Sequence, residues 1–204
     1  MKTHLIEFVR AGAPIEEPVT KFGGAPVWLS QAQWPLGTQS DEPMMFIAQI
    51  ALDVLGFPGA MAYIFMDDSE EAGNTWSPDA GGNAVVVQPG DNPFPVSPQN
   101  DGPRLTELVM LDKRRSEMKP CEYAATLREE EDVVLEGSAD VFQNKIGGLP
   151  VWLQFDETPG DGWQLLLQLD SVGVPFDINF GDAGVGYAFL APDGRSGKFL
   201  WQCG

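Results

Sequence analysis

KFGGAPVWLS, residues 21–30, returns as KIGGLPVWLQ, residues 145–154, at a spacing of 124. The lysine, the glycine pair, the proline and the Val-Trp-Leu triplet are kept. After each copy an apolar run closes on glutamine and an aliphatic residue: PMMFIAQIAL, with Gln49, and then WQLLLQLDS, with Gln168. An aromatic pair follows, Tyr63 and Phe65 in AYIFM against Tyr187 and Phe189 in GYAFL, again 124 apart. VVVQ at 85–88 and FLWQ at 199–202 give a weaker echo. The chain therefore reads as two related halves around a variable middle. Gly23 and Gly24, and Gly147 and Gly148, each precede a Pro-aliphatic-Trp unit (Pro26 and Trp28, Pro150 and Trp152). That order predicts a tight turn delivering a short strand whose tryptophan packs inward.

Working outward, the runs MMFIAQIAL, MAYIFM, NAVVVQ, LTELVML, WQLLLQL, VGYAFL and KFLWQ are short and rich in β-branched and aromatic residues. Gly, Pro, Asn and Asp punctuate them, which reads as strands. With 17 prolines and 23 glycines, helix is scarce; the candidates are a turn at ALDVL after Gln49 and a stretch around EYAATLREEEDVV. His4 lies in a terminus read as frayed or as an edge strand. Residues 67–83 and 89–103 read as long surface loops. The predicted fold class is α+β, a mainly antiparallel β-sheet with few short helices and two related β-rich halves packed together. One unit spans 1–204, with a first repeat at about 15–90, an acidic middle at about 91–140 and a second repeat at about 141–204.

Composition narrows the function. A chain of 204 residues that is 43% hydrophobic can bury a sizeable core. No apolar run approaches the ~18 residues of a membrane helix, and the N-terminus lacks the apolar stretch of a secretory signal, so the expectation is cytoplasmic, with no membrane partner. Cys121 and Cys203, without a CxxC or a histidine cluster, predict free thiols and neither a disulfide framework nor a zinc site. Thirty acids against 12 bases give a net charge of −18, which argues against direct binding of nucleic acid. Residues 67–161 hold 20 of the acids and 7 bases, whereas 162–204 hold four and two. This imbalance serves solubility by self-repulsion, or steers in a partner with a basic face.

Catalytic chemistry finds few candidates. With one histidine, imidazole acid–base work and triads have no basis. Carboxylate pairs remain, Asp170 and Asp182 being the least bland, although a strand-end or turn role suffices for both. GDAGVG at 181–186 lacks GxGxxG spacing and runs into a strand, so it is no phosphate cradle. DNPFPVSPQND offers oxygen ligands without the calcium-loop register. The expectation is therefore no enzyme, no metal and no cofactor. Trp28 and Trp152 are expected as core anchors, and Trp34, Trp163 and Trp201 as core or rim. Trp76, in the acidic loop DDSEEAGNTWSPD, fits an interface anchor. The candidate partner-binding residues are Asp67, Asp68, Glu70, Glu71 and Trp76 in that loop, with Glu129, Glu130, Glu131 and Asp132 as a second acidic group.

K-[FI]-G-G-x-P-V-W-L, the aliphatic run closing on Gln-Ile or Gln-Leu, F-G-D-A-G-V-G-Y-A-F and the terminal F-L-W-Q-C resemble the bacterial YwqG-like family, a domain of unknown function, over nearly the whole chain. The Gly-Gly-x-Pro-x-Trp signature is more distantly similar to the eukaryotic programmed-cell-death-2 proteins, dedicated chaperones for a ribosomal protein. The bacterial resemblance implies a duplicated β-rich fold and a protein-binding role, as members beside polymorphic toxins are inferred to be immunity proteins. It supplies no catalytic residues. Where some relatives carry Cys-x-x-Cys, this chain reads WPLGTQSDEPMMF, so a metal-binding variant is absent. The expected function is thus an acidic immunity-type inhibitor of a basic toxin such as a secreted nuclease. The alternatives are a dedicated chaperone for a basic protein and a carboxylate-dependent small-molecule enzyme with its pair in a cleft between the halves.

Overall fold

The computed structural model describes residues 2–90, 97–98, 101–132 and 143–204. Its strands are β1 (Lys2–Arg10), β2 (Lys21–Gly23), β3 (Val27–Trp28), β4 (Met45–Ala51), β5 (Met61–Met66), β6 (Asn83–Gln88), β7 (Ser97–Pro98), β8 (Thr106–Met110), β9 (Ser116–Pro120), β10 (Glu122–Glu131), β11 (Lys145–Gly147), β12 (Gln164–Asp170), β13 (Val185–Leu190) and β14 (Gly197–Gln202). Ten form one sheet in the order β14-β13-β12-β11-β1-β10-β2-β4-β5-β6, with every neighbouring pair antiparallel. The sheet curls until β6 and β14 lie against each other, giving a nearly closed barrel with almost no helix. Among the described residues one single-turn 3-10 helix, Leu52–Leu55, falls where the ALDVL turn was expected, and Gly56 ends it in a left-handed conformation.

β4, β5, β12 and β13 are almost continuously apolar because both of their faces are covered. Along β5, Ala62, Ile64 and Met66 point into the barrel core, while Met61, Tyr63 and Phe65 point outward beneath a flap carrying Trp28. β13 repeats this, with Ala188 and Leu190 inside and Val185, Tyr187 and Phe189 outside against Trp152. β4 and β12 each carry an irregularity, between Phe46 and Ala48 and between Leu165 and Leu167. The extra residue places Ile47 and Ala48, or Leu166 and Leu167, together in the core, and turns Gln49 or Gln168 to the outer side.

Two expectations are corrected. EYAATLREEEDVV is not helical: Glu122–Glu131 is the ten-residue strand β10. Its run of good helix formers is overridden by a nine-pair ladder to β1 and by pairing with β2. The N-terminal segment is neither frayed nor at an edge, since β1 is central, between β10 and β11. These two strands have matching places. Thr3 faces Gly147 and Leu5 faces Lys145; Glu122 faces Gly23 and Ala124 faces Lys21. The strand that opens the chain thus lines the second half, and the strand preceding the second half lines the first.

Candidate functional site

The two Gly-Gly units are built alike. Gly23 and Gly24 have φ of 67° and 65°, and Gly147 and Gly148 have 71° and 78°, left-handed angles that glycine adopts without strain. The Val27 amide donates to Gln49 Oε1 at 2.8 Å, and the Val151 amide to Gln168 Oε1 at 2.8 Å. Gln49 Nε2 donates to the Val19 carbonyl and Gln168 Nε2 to that of Gln143. The hydroxyls of Tyr63 and Tyr187 donate to the carbonyls of Val27 and Val151, both at 2.8 Å, and accept from the amides of Leu29 and Leu153. Gln88 and Gln202 accept from the amides of Ser30 and Gln154, which gives the weak third echo the same work in each half. Burial pushes both tyrosine hydroxyls well above their ordinary range. The indole of Trp28 lies 4.4 Å from the Tyr63 ring, and that of Trp152 4.6 Å from Tyr187. Trp28 is 1% exposed; Trp152 is half-buried and only flanks its cluster. These motif residues are therefore wall and flap.

Lys21 and Lys145 were not singled out, yet both are buried. Lys21 Nζ donates to Glu122 Oε1 and the Ala25 carbonyl at 2.6 Å and to the Ile15 carbonyl at 3.0 Å. Burial lowers its pKa, against the opposing pull of Glu122. Lys145 Nζ lies 3.2 Å from Asp132 Oδ1, and Asp132 Oδ2 also accepts from the Leu149 amide. The signal was available, as one lysine opens both copies of the motif.

These contacts separate the two acidic groups. Asp132 is committed to Lys145, its side chain 6% exposed, and cannot meet a partner. Glu129 is 2.6 Å from Lys2 Nζ and Glu130 is 2.7 Å from Arg128. Glu131 faces Lys2 in the ladder. Three of the four acids of this second group are thus paired with cations of the same wall.

The first group is arranged differently. Asp67 ends up buried: it accepts from the Ser40 hydroxyl at 2.6 Å and the Ser69 amide at 3.0 Å. Burial opposes its ionisation, but these hydrogen bonds prevail and hold its carboxyl below the usual range. It is a loop anchor, not a contact residue. The loop after it is tied down elsewhere too. Asn83 Nδ2 donates to the Thr75 and Ser77 carbonyls. Trp201 Nε1 donates to Thr75 Oγ1, and the Trp201 amide to the Trp76 carbonyl. Lys198 Nζ lies 2.8 Å from Asp79, and Trp76 meets the Trp201 ring edge-on at 6.3 Å. The loop expected at the surface closes the seam between β6 and β14. It leaves Asp68, Glu70 and Glu71 exposed and Trp76 53% exposed.

Beneath this loop is a pocket of about 480 Å³ between the halves. Met45, Met66, Ile178 and Trp201 supply apolar wall, and Asp68, Asp177, Asn179 and Arg104 supply polar groups. The Asp68 carboxyl is raised, chiefly by partial burial and then by the charge of Asp67. The pocket holds no histidine. Asp170 and Asp182 are elsewhere: Asp170 accepts from the Val172 amide in a turn at the end of β12, and the Asp182 carbonyl accepts from the Gly204 amide. Among the described residues no three His, Cys, Asp or Glu are placed to hold a metal ion; most of DNPFPVSPQND lies outside them. Cys121 is buried and Cys203 partly so, both free, and burial pushes the Cys121 thiol up to about 12. No helix is long and apolar enough to cross a membrane among the described residues.

A family model matches residues 20–195, from the first lysine motif to the turn before β14. The chain belongs to the DUF1963 family, a domain of unknown function. The matched span takes in both flaps and both glutamine–tyrosine clamps of this DUF1963 chain, together with the pocket residues up to Gly181. Among curated proteins none matches the chain.

Proposed function

We propose that this chain is an acidic protein-binding module that masks a basic partner, and that its contact face is the pinned loop Asp68–Asp79 with the pocket beneath it. One observation carries the reading. Asp68, Glu70, Glu71 and Trp76 are exposed on a loop whose backbone is fastened from both halves, so acids and an aromatic anchor are presented with the backbone ordering already done before binding. The net charge of −18 steers a cationic partner toward it. The resemblance to YwqG-like proteins, and the matched bonds of the two halves as products of one duplicated unit, favour an immunity-type inhibitor of a basic toxin such as a secreted nuclease effector.

The test is pull-down from native cytosol at low and moderate salt, then binding kinetics with the captured protein. Replacing Asp68, Glu70 and Glu71 by amides slows association and flattens its salt dependence, with the melting temperature nearly unchanged. Replacing Glu129 and Glu130 does neither. Turnover of a small molecule by the purified chain, lost on Asp68→Asn, would put an enzyme in place of this reading.

A further inference from the structure

The hairpin of β8 and β9 stands outside the barrel sheet, and its two faces are reversed from the usual order. Leu108 is opposite Met118 and Met110 opposite Ser116, so Leu108, Met110 and Met118 share one uncharged face, while Glu107, Val109, Glu117 and Lys119 share the other. The charged face is the one turned inward at the root: Glu107 is buried and holds Arg10 and Tyr123. The apolar face meets solvent, with Leu108 63%, Met110 62% and Met118 43% exposed, and Leu111 beside the tip 48%. A cluster of this kind marks an interaction surface.

Charge along the hairpin says what covers it. At the tip Asp112 is engaged by Arg115 and by the amides of Arg114 and Arg115, leaving Lys113 and Arg114 exposed on an otherwise strongly acidic molecule. At the root the Asp177 amide donates to the Thr106 carbonyl, beside the pocket wall where Asp67, Asp68 and Asp177 outnumber Arg104.

We propose that the hairpin is the surface through which two copies of this chain associate, apolar face on apolar face about a two-fold axis with the hairpins antiparallel. In that arrangement each cationic tip reaches the acidic root of the other copy, one strand length or about 15 Å away, and no charge is buried by the uncharged faces. An anionic bilayer would attract the tips but repel the rest of the molecule, and a basic partner would be repelled by the tips. The contact is small, so association is weak and concentration-dependent.

Sedimentation of the full chain alone, from low to high micromolar concentration, tests this. Two variants at exposed positions, Leu108→Ser with Met118→Ser and Lys113→Glu with Arg114→Glu, are expected to raise the dimerisation midpoint at least about tenfold, with melts unchanged. Added salt should weaken the unsubstituted dimer more than the charge-reversed one. A chain that stays monomeric throughout, a dimer indifferent to both variants, or a chain that binds anionic vesicles without self-association overturns the proposal. No second protein is present, so either result is independent of the basic-partner reading.

Discussion

Glu107 collects a guanidinium and a phenol: Arg10 Nε donates to it at 2.7 Å, and the Tyr123 hydroxyl donates to its other oxygen. The Arg10 hydrogen bond first, and then that of Tyr123, hold its carboxyl below its ordinary value of 4.5. Burial and the neighbouring carboxylate push the Tyr123 hydroxyl up to about 12. A carboxylate whose pKa is depressed by folding stabilises the native state above its unfolded value, and that contribution is lost as pH falls through the folded value. Glu107→Gln should therefore cost about 1–2 kcal/mol near neutral pH, discounted because Arg10 is largely exposed. The deficit should close as pH drops below about 4.5. Urea melts over a pH series read it directly, and a deficit that does not vary with pH would show that the charge is immaterial. The residues that sequence reading missed are of this kind. Glu107, Lys21 and Lys145 are charged residues inside apolar or mixed strands, and only the fold reveals the opposite charge that each one meets. Asp67 and Asp132 were misread for the converse reason, because an acid in an acidic run looks solvated until a hydroxyl or a lysine is found buried beside it.

At the scale of the element, each flap depends on a tryptophan laid over a tyrosine and tied through a glutamine. Trp28 is enclosed, and its indole N–H has no acceptor, so its contribution is packing. Trp28→Ala should cost about 3–5 kcal/mol through the cavity left behind, Trp28→Phe appreciably less, and Trp152→Ala less than Trp28→Ala because its ring is only half-covered. Denaturant melts of the three variants give the ranking; equal losses for the two alanine variants would contradict it. The flaps were legible because the constraint is local: a glycine pair in left-handed angles followed by Pro-Val-Trp needs no distant partner to be recognised. The strands around them were legible through continuous apolar runs. β10 was not, because Arg128 and the three glutamates after it favour helix in isolation. What makes them a strand is β1, more than a hundred residues earlier.

For the whole molecule, β1 and β10 form the longest ladder and the contact along which the halves join. Removing residues 2–10 would take one neighbour from each of β10 and β11, which keep only β2 and β12, exposing two edges in the middle of the sheet. The shortened chain should fail to give a cooperative thermal transition and should aggregate, whereas removal of an exposed edge segment would be tolerated. Circular dichroism and light scattering distinguish the two. The charge asymmetry that pointed to a partner was legible in the sequence, but its division was not: three of the four acids of one group are paired within the wall with Lys2, Arg128 and Lys145, and the other group remains on a loop fastened over the barrel seam.

The exchanged places of β1 and β10 also bear on how the chain is made. Domains generally acquire structure as they leave the ribosome, the earliest residues first. Here the first half cannot complete its wall until residues 122–131 have been synthesised, and the opening strand must wait for residues 145–147, which it joins. No unit is therefore finished before residues 145–147 have been synthesised, and until then the first apolar strands are borne by a chain whose final shape is reached only when both halves close together.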